Sequence, residues 1–361
     1  MDLEKAKYET EGQDFKEVMR ALVEHEMFAA IAMRLFPETP LGELKRQLMA
    51  MESVGEFQST FMYRGCQWVI ENSMTSFTYD GVENLGDRPN LFVSNHRDIV
   101  LDAMMLQYIL VNEGRETSRV VIGANLFEIP IMPALARLNK MYSIGRGGNK
   151  REYYRSLLEM SQHLRKWVVE RGESVWIAQR NGRTKDGIDH TEPALVKMIA
   201  SSGKEKEPVG ALQEMNITPV SVSYEWEPCA AMKARELCLS REGEYVKAPG
   251  EDMQSVFSGI KDFKGRVHFS IGKPLEAEEI AAAHGNHLTI AALIDRRIAD
   301  GYKLWHNNYM AKEMLSGRKP EGEEGEVAAF EKYVEDACQQ YPLGEEFRQR
   351  LLSIYANAVG K

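Results

Sequence analysis

The chain has 361 residues, and 43% of them are hydrophobic, enough to bury a large core in one large domain or two ordinary ones. Its formal net charge of −9 gives no support to nucleic-acid binding, so any phosphate site must be local. Four widely separated cysteines contain no Cys-x-x-Cys pair, which argues against a zinc site or a disulfide framework and fits a reducing cytosol.

The sequence contains no signal for secretion or for a membrane-spanning helix. The acidic start "MDLEKAKYETEGQDF" lacks the apolar core of a signal peptide, and no uninterrupted apolar run reaches about 18 residues. We therefore expect a cytoplasmic protein that is soluble or lies peripherally on the inner face of the cell membrane.

The first part of the chain has the pattern of helices. Apolar residues recur at helical spacing in 15–35 and again in 56–74. This spacing predicts helices that each pack one face, in an N-terminal helical region of residues 1–76.

Between residues 77 and 275 the pattern changes to strands that alternate with helices. The predicted strands lie in "SFTYDGVENLGDRPNLFVSNH", which holds two strands and a turn, and in "RVVIGA", "SVWIAQ", "ITPVSVSY" and "GRVHFSIG". This alternation predicts an α/β domain with a mixed sheet covered by helices on both faces. Residues 276–361 return to helical patterns, with "SGRKPEGEEGE" as a linker before a last helix pair, and form a C-terminal helical extension.

The stretch "LFVSNHRDIVLD" places His96 where a buried strand ends and a helix is predicted to begin. Such strand ends are where α/β sheets hold their ligands. Taken alone, the stretch also fits a plain turn, in which Asn95 and Asp98 are turn and capping residues and His96 is a bystander.

Two further strand ends carry arginines beside glycines. Arg146 follows the apolar run of "MYSIGRGGNKREYYR", and Arg180 and Arg183 surround Gly182 in "SVWIAQRNGRTKDG". Glycine permits close backbone approach, and arginine binds phosphate through two parallel hydrogen bonds. Each cluster alone could be a solvated turn, but three such strand ends together favour one binding site.

With these three segments in place, the sequence resembles the glycerolipid acyltransferases, which act on glycerol-3-phosphate and lysophosphatidate and begin with an Asn-His-x4-Asp block. The resemblance covers roughly residues 77–275. It implies that His96 is the general base and Asp102 its orienting partner. It also implies that the substrate is bound by Asn95, Arg146, Arg180, Asn181, Gly182 and Arg183.

Asp98 and Asp102 are both candidates for the partner of His96, because five residues separate His96 from Asp102 where the family has four. Asp98 is well placed to cap the following helix, whereas Asp102 follows three apolar residues and would need a partner if it is buried. We therefore predict that Asp102 is the partner and that the turn absorbs the extra residue. In the third block, Asn181 stands where the family has a glutamate, and the spacing to Arg183 is one residue short.

The chemistry that the resemblance implies is transfer of a fatty acyl group from acyl-CoA or acyl-ACP to a hydroxyl of a phosphorylated glycerolipid. An imidazole, with an ordinary pKa near ~6.5, can take the hydroxyl proton near neutral pH. The mechanism requires no metal and no bound cofactor. The kinked apolar stretch Ala124–Ile144 is either ordinary core or a surface that receives an acyl chain or touches lipid.

Three other functions remain open from the sequence. The enzyme could acylate a different lysolipid or an ornithine lipid, it could hydrolyse thioesters, or the chain could be an inactive lipid-binding module. Thiol release without an acceptor would indicate the hydrolase, and lipid binding without any transfer would indicate the inactive module.

Overall fold

The computed structural model of the protein describes residues 13–144, 150–203, 207–240 and 245–360, and its centre is a seven-stranded sheet. The strands are β1 Met74–Asp80, β2 Leu91–Ser94, β3 Arg119–Gly123, β4 Met141–Ile144, β5 Val175–Ala178, β6 Ile217–Tyr224 and β7 Gly265–Ile271. They lie in the order β1-β7-β6-β2-β5-β3-β4. β6 and β7 pair antiparallel and the other neighbours pair parallel, so the predicted mixed sheet is confirmed.

In the described part of the chain, five α-helices precede the sheet: α1 Gln13–Glu24, α2 Glu26–Leu35, α3 Leu41–Ala50, α4 Val54–Phe57 and α5 Tyr63–Ser73. The stretch predicted as helical from residue 15 to 35 is broken at His25, whose Nδ1 accepts from the Met27 N–H and starts the second helix. The next predicted stretch contains a π-helical turn, Gln58–Met62, between α4 and α5. The third helix is not among those predicted.

Among the described residues, seven α-helices lie between the strands: α6 Leu101–Asn112, α7 Met132–Leu138, α8 Lys150–Arg165, α9 Pro193–Ala200, α10 Pro208–Glu214, α11 Ala230–Leu239 and α12 Glu251–Lys261. Five more follow the sheet within residues 272–360: α13 Ala277–Ala282, α14 His287–Gly301, α15 His306–Leu315, α16 Glu324–Gln340 and α17 Glu345–Ala356. The predicted last helix pair is confirmed as α16 and α17.

The sheet is covered on both faces, as the alternation of strands and helices predicts. Because side chains alternate along a strand, Phe92 packs into the layer formed by α1, α2, α3, α5 and α6. Its neighbours Leu91 and Val93 pack into the opposite layer, formed by α8, α9 and α14. The N-terminal helices therefore share a core with the sheet, and the division of the chain at residues 76 and 275 stays a prediction.

The C-terminal helices form a third buried cluster, which lies against the segment after β6. Phe330, Phe347 and Tyr355 lie at its centre, with Ala230 and Ala234 of α11 packed among them. This extension also reaches the turn after β5, because a side chain at Gly187 would collide with the backbone of Ile354. The helical extension thus contacts the ends of the strands that carry the arginines and His96.

Candidate active site

His96 lies at the carboxyl end of β2, between β5 and β6 in the middle of the sheet. All four residues of β2 are buried, which fixes the strand, and Thr184 donates its N–H to the His96 carbonyl at 2.7 Å. The imidazole is 12% exposed and lines a cavity of about 480 Å³. A buried strand thus presents one titratable ring to a solvent-accessible pocket.

The carboxylate of Asp102 is buried and accepts four hydrogen bonds. Its Oδ2 lies 2.9 Å from His96 Nδ1 and accepts from the backbone N–H groups of Arg97 at 2.6 Å and Asp98 at 2.9 Å. Its Oδ1 accepts from the Tyr224 hydroxyl at 2.8 Å. Because an ionised carboxylate only accepts, Nδ1 of His96 carries the proton and Nε2 is left as an acceptor.

Two aromatic side chains complete the surroundings of this pair. Burial, followed by the nearby carboxylates of Asp102 and Asp98, raises the pKa of Tyr224 well above its usual value, so that its hydroxyl remains a donor. The Trp176 ring meets the His96 ring edge-on at 5.7 Å, and its Nε1 donates to Ser94 Oγ at 3.0 Å. Tyr224 therefore helps to hold Asp102, and Trp176 restricts the position of the imidazole ring.

Asp98 closes the turn that leads into α6, whose N-cap residue is Val100. Its Oδ1 accepts from the N–H groups of Val100 at 2.9 Å and Leu101 at 2.8 Å. Its Oδ2 is buried and has no hydrogen-bond partner within the described parts of the chain. Burial, and then the Asp102 carboxylate, raises the pKa of Asp98. The extra residue of the turn is absorbed because α6 begins only at Leu101.

Asn95, expected to bind substrate, is instead enclosed by the fold. It is fully buried; its Oδ1 accepts from the Val222 N–H at 2.8 Å and its Nδ2 donates to the Val222 carbonyl at 2.9 Å. Nδ2 also lies 3.2 Å from Asp189 Oδ2. Since both ends of the amide are used within the protein, Asn95 fixes the end of β2 to β6, and this placement corrects the expectation of a substrate contact.

The turn after β5 brings Arg180, Asn181, Gly182 and Arg183 to the cavity that His96 lines. Arg180 Nε and Arg183 Nη1 are buried without a hydrogen-bond partner among the described residues, while Arg180 Nη1 lies 3.4 Å from His190 Nδ1. The predicted second arginine, Arg146, lies outside the described residues. Each of these two guanidinium groups therefore has an N–H donor that can bind a ligand in the cavity.

Other polar residues of the cavity were not predicted from the sequence. Lys247 and Asp252 come from the segment between β6 and β7 and line the cavity, where Lys247 Nζ donates to Asp252 Oδ1 at 2.5 Å. Asn125 donates to Asp252 Oδ2 at 2.7 Å. Nothing in the sequence around them indicates a site, whereas Tyr224 could have been noticed as the one phenol at the end of an apolar strand.

A second, smaller cavity of about 60 Å³ adjoins the first and is mainly apolar. Ile99, Ile122, Leu126 and Trp176 line both cavities. Residues of the apolar stretch Ala124–Ile144 contribute part of its wall. This stretch therefore packs as core on one side and borders the cavity on the other.

None of the four cysteines is poised as a nucleophile. Burial raises the pKa of the Cys66 thiol to about 12, and it also raises the pKa values of Cys229, Cys238 and Cys338. A thiol with a raised pKa holds little thiolate near neutral pH. Within the described ranges, no group of three or more His, Cys, Asp or Glu side chains is arranged to hold a metal ion.

Comparison with known families identifies the segment of the chain that holds this site. Residues 76–220, which hold β2, His96, Asp102 and the turn after β5, match the family described as Acyltransferase. Residues 76–220 therefore form an acyltransferase domain. The match confirms the family indicated by the His96 block and by the arginine-bearing strand ends.

Comparisons with solved structures and with curated proteins add no further family assignment. The solved structures include the 1-acyl-sn-glycerophosphate (LPA) acyltransferase PlsC from Thermotoga maritima, which is similar at 14% sequence identity and a TM-score of 0.43, over 79% of this chain and 92% of that chain. No curated protein is significantly similar to this chain in sequence. None of its described helices has the length and apolarity to cross a membrane.

The two aspartates of the turn give the first prediction. Asp102→Asn should lower turnover by about 10³–10⁴-fold. The uncharged asparagine amide has one acceptor oxygen instead of two, so it cannot accept from Nδ1 and from the three other donors as the carboxylate does. Asp98→Asn should keep most activity and change the free energy of unfolding by about 1 kcal/mol or less, because the amide oxygen of asparagine can accept from the same two N–H groups. Steady-state kinetics and urea unfolding of both variants measure this; an essential Asp98 beside a dispensable Asp102 would reverse the assignment.

Proposed function

We propose that this protein moves a fatty acyl group from acyl-CoA or acyl-ACP to a hydroxyl of glycerol-3-phosphate or lysophosphatidate. The observation that carries the proposal is the contact of His96 Nδ1 with Asp102 Oδ2 at 2.9 Å, in a cavity that Arg180 and Arg183 also line. A general base and a phosphate-binding pair of arginines thus share one space.

His96 acts as the general base. Its Nε2 removes the proton of the acceptor hydroxyl while the oxygen attacks the thioester carbonyl, and the new C–O bond forms as the C–S bond breaks. The proton leaves with the thiol. Asp102 holds the ring in the Nδ1–H tautomer and stabilises the imidazolium that forms, so that the acceptor alcohol takes the place of an enzyme nucleophile.

The arginines of the turn after β5 bind the phosphate of the acceptor. Arg180 and Arg183 offer planar guanidinium groups that match a phosphate, and Asn181 and Gly182 lie between them at the cavity. Such a local positive site accounts for binding of an anion by a chain whose net charge is −9. The partners of the enzyme are then an acyl thioester donor and a phosphorylated glycerolipid acceptor. An acceptor that lies in a membrane would be bound at the membrane surface.

The donor chain enters from the apolar side of the cavity. Ile99, Leu126 and Trp176 line both cavities and give the reacting carbonyl an apolar wall close to His96. The small apolar cavity beyond them is suited to methylene groups rather than to a phosphate. The donor is a co-substrate, and the proposed steps use no resident cofactor.

The second prediction concerns the base. His96→Ala should lower acyl transfer by about 10²-fold or more while the fold is kept, because the imidazole does not pack in the core. Transfer of a labelled acyl group from a thioester to glycerol-3-phosphate or lysophosphatidate measures this. His268→Ala is the matched control, because His268 lies in β7 and bonds Thr78 at 2.8 Å.

His268→Ala should keep wild-type transfer. If His96→Ala retained more than about a tenth of wild-type activity, a general-base role would be excluded. If the wild-type enzyme released thiol at the same rate with and without any acceptor, and no labelled lipid formed, the chain would be a thioester hydrolase instead.

The third prediction concerns the arginines. Replacing Arg180 or Arg183 by Ala should weaken kcat/KM for a phosphorylated acceptor by about 1.5–3 kcal/mol, a typical contribution of a charge-assisted contact, with a smaller effect on the donor. Arg88→Ala is the control, because Arg88 is exposed at the amino end of β2. An equal loss of activity with an uncharged alcohol acceptor would contradict phosphate binding by these residues.

A further inference from the structure

Two peptide groups connect the Asp102 carboxylate to other segments of the chain. The carbonyl of the His96–Arg97 peptide accepts from the Thr184 N–H at 2.7 Å, and the N–H of the same peptide donates to Asp102 Oδ2 at 2.6 Å. The carbonyl of the next peptide, Arg97–Asp98, accepts from Lys233 Nζ at 2.6 Å, and its N–H donates to the same oxygen at 2.9 Å. Each peptide therefore receives a hydrogen bond at one end and donates one to Asp102 at the other.

The second of these peptides is polarised by a full charge. Lys233 lies in α11, its side chain is 1% exposed, and it does not line the cavity. A donor on a peptide carbonyl strengthens the donation of that peptide's own N–H, and an ionised donor does so more than a neutral one. The ammonium of Lys233 thus acts on the acceptor of the His96 proton without touching His96 or substrate.

Lys233 belongs to a buried and balanced set of charges. Its Nζ donates to Glu227 Oε1 at 2.6 Å, and Arg97 donates to Glu227 Oε2 at 3.2 Å and to Asp189 Oδ2 at 2.6 Å. These four side chains are between 1% and 7% exposed. Two positive and two negative groups leave the set neutral, so neutralising any one of them places a net charge beside the turn of His96.

We propose that Lys233 is a positioning residue that acts on the His96–Asp102 pair through the Arg97–Asp98 peptide, with Glu227 as the opposing charge. The inference rests on the proposed role of His96 as general base. The ammonium opposes a positive charge on the imidazole and supports the negative charge on Asp102. It therefore keeps more of the imidazole in the unprotonated, reactive form at a given pH.

The sign of each expected change follows from charge alone. Lys233→Met leaves the buried set with one negative charge in excess, which favours the imidazolium, whereas Glu227→Gln leaves one positive charge in excess, which disfavours it. The remaining charges around His96 are unchanged in both variants: Asp98 and Asp102 on the turn and α6, and Arg180, Arg183, Lys185, Glu192, Lys247 and Asp252 in the cavity. The two variants should therefore differ in the direction of their effect.

The experiment is the dependence of kcat/KM on pH for the wild type, Lys233→Met, Glu227→Gln and the double variant. The acid limb should move to higher pH in Lys233→Met and to lower pH in Glu227→Gln, each by roughly half a unit to one unit. It should return towards its wild-type position in the double variant. KM for the acceptor should stay near its wild-type value, because neither side chain lines the cavity.

Lys140→Met is the matched control. Lys140 is also largely buried and donates to the Thr117 carbonyl at 3.2 Å, but it lies before β4, at the end of the sheet opposite His96. Its replacement tests loss of a buried ammonium without the connection to Asp102. It should lower stability and leave the pH profile unmoved.

The outcomes separate this inference from the proposed function. If His96→Ala abolishes transfer but neither folded single variant moves the acid limb, or both move it in the same direction, the positioning role is wrong and the function stands. If neither single variant folds, the Asp98 amide proton of the neutral double variant decides by NMR: an unchanged chemical shift overturns the inference, and an upfield shift, from weaker donation to Asp102, supports it. If His96→Ala keeps full activity, the proposed function itself fails.

Discussion

A charged carboxylate is costly to bury unless hydrogen bonds compensate it, and in this protein the four hydrogen bonds of Asp102 constrain the segments around it. Its donors come from the turn after β2 and from Tyr224 at the end of β6, so two strands and α6 must meet within hydrogen-bonding distance. The turn wraps its backbone N–H groups around one oxygen, and this curvature is what aims the His96 ring at the cavity. The orientation of the His96 ring thus follows from the hydrogen bonds that the buried Asp102 carboxylate accepts.

The same turn makes the C-terminal extension part of the site. Arg97 points away from the cavity into the buried charges, and its guanidinium lies 5.2 Å from the centre of the Tyr302 ring. Burial opposes its charge, but Asp189, Tyr302 and Glu227 outweigh burial and raise its pKa. Tyr355 of α17 accepts from the Glu227 N–H at 3.2 Å. The helices after the sheet therefore shield these side-chain ion pairs from water, which would otherwise weaken them.

The sequence predicts what depends on local pattern. Strand and helix alternation predicts the covered mixed sheet and places His96 at a strand end, and the apolar residues before Asp102 favour it over Asp98 as a buried partner. β4 is indicated only as the strand end before Arg146, because it is a short edge strand that is only half-buried. Asn95 is misjudged, and the partnership of Lys233 with the turn is invisible, because both depend on contacts between residues more than 120 positions apart.

The central claim is that Asp102 holds His96 in the Nδ1–H tautomer and leaves Nε2 free to take a proton. Nitrogen-15 NMR of histidine-labelled enzyme measures this directly, with the His96 signals identified by their loss in His96→Ala. At a pH where the ring is neutral, we expect Nδ1 to carry the proton and Nε2 to be bare, with the Nδ1 proton shifted downfield by its carboxylate acceptor. A neutral ring with its proton on Nε2 would contradict the account.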